Sequence, residues 1–146
     1  MIKVYLLIPF FALILSVNAC NSQSAAAKVK GETTASEQVA SFYKNVDVKM
    51  FSDLIKKNAG ELIDVRTPQE FQSGHIQGAK NINVLDPSFA DKIAKLDKSK
   101  TYMLYCRSGH RSGKALEQMR AAGFSKIYNL SGGVMAWTSA GEKLSK

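Results

Sequence analysis

One stretch constrains this chain more than any other. Thr101 to Gly113 reads TYMLYCRSGHRSG. Its first part, with Tyr102, Met103, Leu104 and Tyr105, is an aromatic-rich apolar run that predicts a buried strand. Cys106 stands where that strand ends. The six residues Cys106 to Arg111 carry Gly109 among them and arginines at the second and last places, and then feed a helix-forming segment. In an open α/β sheet, ligands bind beyond the carboxyl ends of the strands, where loops meet helix N-termini. A thiol in that position meets backbone N–H donors and the positive end of a helix dipole, both of which favour a thiolate or a bound anion.

The remaining elements predict a sheet able to carry such a loop. Val46-Asp47-Val48 is a short strand candidate. Met50, Leu54 and Ile55 fall at helical spacing within residues 49–58, and Ala59-Gly60 stops that helix. Leu62 to Val65 is an apolar strand ending at Arg66. Thr67-Pro68 opens a short helix with Glu70 at its third position, the pattern of a capping box. Asn81 to Val84 is strand-like, and Phe89, Ile93 and Leu96 give the next helix its apolar face. Ala115, Leu116, Met119 and Ala122 line one face of a helix over 112–122, Phe124 to Leu130 supplies another strand, and Ser131-Gly132-Gly133 turns into a last helix with Val134, Ala136 and Trp137. Strands alternating with helices predict an α/β fold, a parallel-rich sheet covered on both faces. No internal repeat is visible in the pattern, and no second domain is expected.

The chain has 146 residues, 45% of them hydrophobic, which suits one such domain with appendages. The net charge of +8 comes from scattered lysines. With no basic cluster interleaved with aromatics, no nucleic-acid partner is expected, and the charge reads as a solvated surface favouring anionic partners.

Residues 1–19 form the expected signal segment: a charged Lys3, an apolar run from Val4 to Val17 too short for a comfortable membrane span, and Val17-Asn18-Ala19 before Cys20. That junction resembles the lipobox of bacterial lipoproteins, which implies cleavage before Cys20, lipidation of Cys20 and a membrane partner through the lipid. The alternative is an ordinary secretory signal or an uncleaved anchor. Residues 20–41 then read as the lipidated cysteine and a Ser-, Ala-, Thr- and Lys-rich tether, about 25 Å end to end as a flexible coil. The domain is expected over 42–146, exported to the periplasmic side of the cell envelope. With Cys20 acylated, Cys106 is the domain's one cysteine, and an unused thiol is a hazard in an oxidising compartment. A lone cysteine is often inert packing, but the polar, glycine-containing surroundings of Cys106 favour a functional role.

Three stretches together resemble the rhodanese-like sulfurtransferase family. They are Ile63 to Phe71 with Gly74-His75-Ile76 and Gly78 to Ile82, the loop from Tyr105 to Ser112, and Tyr128 to Gly133 with Ala136-Trp137. They occur in family order and span nearly all of the expected domain. The resemblance implies a three-layer fold with a five-stranded central sheet, and a transferase that moves a sulfane sulfur from a small anionic donor such as thiosulfate to cyanide or a thiol. The carrier is a persulfide on Cys106, with no metal or organic cofactor. The backbone from Arg107 through Ser108, Gly109 and His110 to Arg111 is expected to cradle the anion, with Gly109 letting the loop curl.

Arg107 and Arg111 are candidates for holding the donor, although Arg111 is equally suited to anchoring the loop. His110 either tunes the sulfur or faces solvent. Asp64 and Arg66, at a strand end on the loop's side of the sheet, are candidate substrate contacts. A salt bridge from Arg66 to Glu70 that holds the turn is the favoured alternative. His75, Tyr128 and Trp137 read as turn and packing residues, and two histidines with one available cysteine give a metal site little support. Competing classes are a phosphatase or arsenate reductase of the same fold and a non-catalytic sulfur- or anion-binding module. The six-residue loop favours sulfur, because the phosphatase-type relatives of this fold carry seven; the retained cysteine speaks against the binding module.

Overall fold

The computed structural model describes residues 40–146. The expected signal segment, Cys20 and most of the tether lie outside these residues. Five strands form one parallel sheet: β1 Phe42–Val46, β2 Glu61–Asp64, β3 Lys80–Asn81, β4 Thr101–Tyr105 and β5 Lys126–Leu130, in the order β1-β5-β4-β2-β3. The helices are α1 Val48–Lys56, α2 Pro68–Ser73, α3 Phe89–Ala94, α4 His110–Ala121 and α5 Gly133–Ser139. The α/β class and the five-stranded sheet match the expectation. Among the described residues no helix is long and apolar enough to cross a membrane.

β4 sits at the centre because its residues bury on both faces, as a strand in a two-sided parallel sheet must. Tyr102, Leu104 and Cys106 join Phe89 and Ile93 of α3 and Ala115, Leu116 and Met119 of α4 in one apolar layer. Met103 and Tyr105 point the other way, to Phe51 of α1 and Val134 and Trp137 of α5. The register sets Asp64 beside Tyr105 and Leu104 beside Asn129. The residues after β2, β4 and β5 therefore emerge together at one end of the sheet.

Two boundaries differ from the expectation. Val46-Asp47-Val48 is not a strand: β1 ends at Val46, and Asp47 caps α1 by accepting the Met50 N–H at 2.8 Å. The strand expected over Asn81–Val84 is regular only at Lys80–Asn81. There the Asn81 side-chain amide donates to the Asp64 and Arg66 carbonyls at 3.0 and 2.9 Å, taking acceptors at the end of β2. Ile82 and Val84 still donate to the Asp64 and Val65 carbonyls, in an irregular continuation.

Candidate active site

Cys106 follows β4 directly and is fully enclosed, at 0% exposure. Its sulfur accepts the Gly109 N–H at 3.1 Å and the Ser112 hydroxyl at 3.4 Å. Burial works against the thiolate, but the Ser112 hydroxyl and the N–H groups of Ser112, Ser108 and Gly109 outweigh it, so the thiol ionises below its ordinary range. The Ser108 and Gly109 N–H groups of the loop thus face the sulfur, together with Ser112 at the start of α4.

The loop holds this shape because its carbonyls are used elsewhere. The first turn of α5 donates to them: Val134 N–H to the Cys106 carbonyl at 2.8 Å and Met135 N–H to that of Arg107 at 3.0 Å. A peptide group points its C=O and N–H in opposite directions. With the Arg107 carbonyl turned to α5, the Ser108 N–H of the same peptide faces the sulfur. Two glycines make the approach possible. Gly133, at φ +56°, would place a Cβ 2.3 Å from the Cys106 carbonyl oxygen. Gly109, at φ +88°, caps α4 in the left-handed region, and a Cβ there would press on the Gly132 nitrogen at 3.1 Å.

Arg111 does not reach into open solvent. Its Nη1 and Nη2 donate to the two carboxylate oxygens of Glu70 at 2.7 and 2.6 Å, a two-pronged pair. Glu70 holds the guanidinium firmly charged, and the Cys106 sulfur adds to this. In return, Arg111 first, opposed by partial burial and helped by Thr67, lowers the Glu70 carboxyl to about 2. Arg107, Ser108 and His110 are exposed on the rim, and Arg107 makes no side-chain hydrogen bond or ion pair among the described residues. A cleft of about 740 Å³ opens beside the loop, between α4 and the end of β1. Ser108, His110, Lys114 and Asn45 line it and Cys106 does not.

Asp64 and Arg66 require a correction. They are 0% and 5% exposed and bind each other: Arg66 Nε lies 3.0 and 2.9 Å from the two Asp64 oxygens and Nη2 lies 2.6 Å from Oδ2. Nη2 also donates to the Gly74 carbonyl at 2.7 Å. Burial opposes the Arg66 charge, but Asp64 outweighs it and holds the guanidinium protonated. Both side chains are therefore occupied with each other and turned inward, not toward a substrate. The anticipated bridge from Arg66 to Glu70 is absent for the same reason, since Glu70 belongs to Arg111. Tyr105 completes this cluster by accepting the Ile76 N–H at 3.0 Å, and burial first, then Asp64, keeps its phenol protonated. Among the described residues, no three His, Cys, Asp or Glu side chains stand together in a way that would hold a metal ion.

Sequence reasoning missed Glu70 as the partner of Arg111, Ser112 as a donor to the sulfur, and the α5 N-terminus as the brace of the loop. Only Ser112 left a local signal, as the third residue of the helix that follows the loop.

The rhodanese-like domain profile matches residues 47–140, which is more than half of the chain. The chain belongs to the rhodanese-like family. An uncharacterised protein of Synechocystis is 41% identical over 95 residues, covering 64% of this chain and 51% of that protein. The match thus spans about half of that relative's length. Thiosulfate sulfurtransferase 18 of Arabidopsis thaliana is 32% identical over 117 residues, covering 72% of this chain and 82% of its own. The fold is also similar to the crystal structure of a rhodanese-related protein from Thermoplasma volcanium, with a TM-score of 0.62 and 27% identity over 70% of this chain and 98% of that one. For a rhodanese-like domain, the ionisable state of Cys106 is the property of most interest. Iodoacetamide alkylation of Cys106 in the full chain, followed by peptide mass spectrometry, should show a midpoint below the ordinary thiol value of about 8.5. A midpoint at or above that value would mean that burial, not the donors, governs the sulfur.

Proposed function

We propose that this rhodanese-like protein is a thiosulfate-type sulfurtransferase with Cys106 as the sulfur carrier. The Cys106 thiolate attacks the outer sulfur of the donor. The S–S bond of thiosulfate breaks, sulfite leaves with the bonding pair, and the protein is left as a persulfide anion. Cyanide or a thiolate then attacks the terminal sulfur and leaves with it, restoring the Cys106 thiolate. The observation that carries this reading is the ring of donors from Ser108, Gly109 and Ser112 on one enclosed sulfur. Such donors stabilise the thiolate before transfer and the departing thiolate after it. The six-residue length of the loop supports sulfur over a tetrahedral oxyanion, and the relative named thiosulfate sulfurtransferase supports the donor class. Incubating the full chain with thiosulfate should add one sulfur to the Cys106 peptide, and adding cyanide should release thiocyanate and remove that sulfur. A peptide that stays unmodified through a panel of sulfane donors would overturn the proposal.

The reading extends to location: Cys20 is lipidated and holds the domain on the periplasmic side of a bacterial membrane. The support is the small-residue junction before Cys20 in the sequence. Fractionation of producing cells should find the chain with membranes and release it on Cys20→Ala. Recovery of the unsubstituted chain in the soluble fraction would reject the anchor.

A further inference from the structure

We propose that Glu70 is a specificity-determining residue of the donor site. It holds Arg111 in reserve, and the anionic end of the sulfur donor takes Arg111 by replacing the Glu70 carboxylate. The inference rests on the sulfurtransferase reading above, because it needs an anion arriving at Cys106.

A doubly charged donor needs a cation beside the sulfur, and Arg111, last residue of the loop, is the one whose charge already senses Cys106. In this structure both its terminal nitrogens are taken by Glu70. A sulfonate-type group offers oxygens spaced much like those of a carboxylate, so the same two-pronged grip fits either anion.

The two ion pairs near the loop differ in how easily they exchange. Asp64 and Arg66 have side chains 0% and 6% exposed, and separating them would strand a buried charge. The side chains of Glu70 and Arg111 are 30% and 23% exposed, so water and a small anion can reach both partners as they exchange. Glu70 also has a place to stay. Its Oε2 accepts the Thr67 N–H at 3.2 Å and the Thr67 hydroxyl at 3.0 Å, while its own N–H donates to the Thr67 hydroxyl oxygen at 3.3 Å. Release of Arg111 leaves that carboxylate capping α2 rather than unpartnered. Glu70 then acts as an internal competitor: anions that grip Arg111 better than a carboxylate enter, and weaker ones do not.

The test uses the full chain and two alkylating agents that differ in charge, iodoacetate and iodoacetamide, with Cys106 read by peptide mass spectrometry. Glu70→Gln keeps the capping box, which accepts glutamine, and frees Arg111. The iodoacetate-to-iodoacetamide rate ratio should rise at least about twofold, the low end of what one ion pair contributes. Arg111→Gln should lower the ratio, and Glu70→Gln added to Arg111→Gln should change it no further. In the transfer assay, Glu70→Gln should lower the KM for thiosulfate by a similar factor. A ratio that falls in Glu70→Gln would make Glu70 a support of Arg111 and overturn the competitor role. A rise that persists in the double variant would assign the effect to general charge and overturn it as well. If the ratio moves as expected while no thiocyanate forms, the sulfurtransferase reading fails and the donor's part in the proposal fails with it.

Discussion

Cys106→Ser should abolish sulfur transfer, reducing thiocyanate formation to the rate without protein. The substitution is close to isosteric. A serine oxygen at 106 would still accept from the Gly109 N–H and the Ser112 hydroxyl that now reach the sulfur, so the fold should be preserved. Stability should change by less than about 1 kcal/mol, because no buried donor loses its acceptor. The chemistry, however, goes completely. An alcohol stays protonated at neutral pH and cannot hold a sulfane sulfur in an exchangeable S–S bond. Two measurements check this: the Cys106→Ser chain should carry no added sulfur after thiosulfate treatment, and its thermal midpoint should stay near that of the unsubstituted chain. Substantial turnover by a folded Cys106→Ser chain would remove Cys106 from the mechanism. Since transfer passes through a covalent intermediate, the unsubstituted chain should also show the parallel-line kinetics of a ping-pong scheme.

Arg66→Met should lower stability by about 3–5 kcal/mol, because it leaves the fully enclosed Asp64 carboxylate without its counter-charge. For a domain of this size that is a fall of roughly 10–30 °C in the thermal midpoint. Asp64→Asn added to Arg66→Met removes the stranded charge and should recover part of the loss. Thermal or chemical denaturation of the single and double variants checks both statements. A loss below about 1 kcal/mol would show that water reaches Asp64. Activity offers a second reading: below its unfolding range, Arg66→Met should keep the KM for thiosulfate, as expected of a guanidinium turned inward. A many-fold rise in KM would return Arg66 to the donor site.

The sequence made the loop and the layering legible because both depend on local pattern. The apolar run Tyr102–Tyr105 followed by Cys106 and a glycine-containing loop predicted a buried strand with a thiol at its end, while the full enclosure of that thiol came only with the structure. The alternation of strands and helices predicted a parallel sheet covered on both faces. Ion-pair partners were not legible, since they depend on how separate elements meet. Glu70 and Arg111 lie 41 residues apart, on helices that follow different strands. Glu70 has local explanations in its capping box with Thr67 and in the nearby Arg66, so nothing in the sequence points to a partner as distant as Arg111. The sequence favours a bridge from Arg66 to Glu70 that holds the turn, whereas the backbone at the end of β2 folds Arg66 back on Asp64, only two residues away. Asp47 shows the same limit at an element boundary. Flanked by valines it reads as strand, and only its carboxylate on the Met50 N–H makes it a helix cap.

The grip of Val134 and Met135 on the loop carbonyls has a consequence for when the sulfur becomes useful. The cysteine follows the fourth strand, but the Ser108 peptide that faces it is oriented by α5, the last helix among the described residues. A chain interrupted after β5 would hold the thiol and lack the brace that turns the Ser108 peptide toward it. The Ser108 share of the thiol's activation therefore depends on α5 being docked, whereas the Gly109 and Ser112 donors come with the loop and α4. Helix α5 is in this way a brace made after the thiol it serves, since its residues follow Cys106 in the chain.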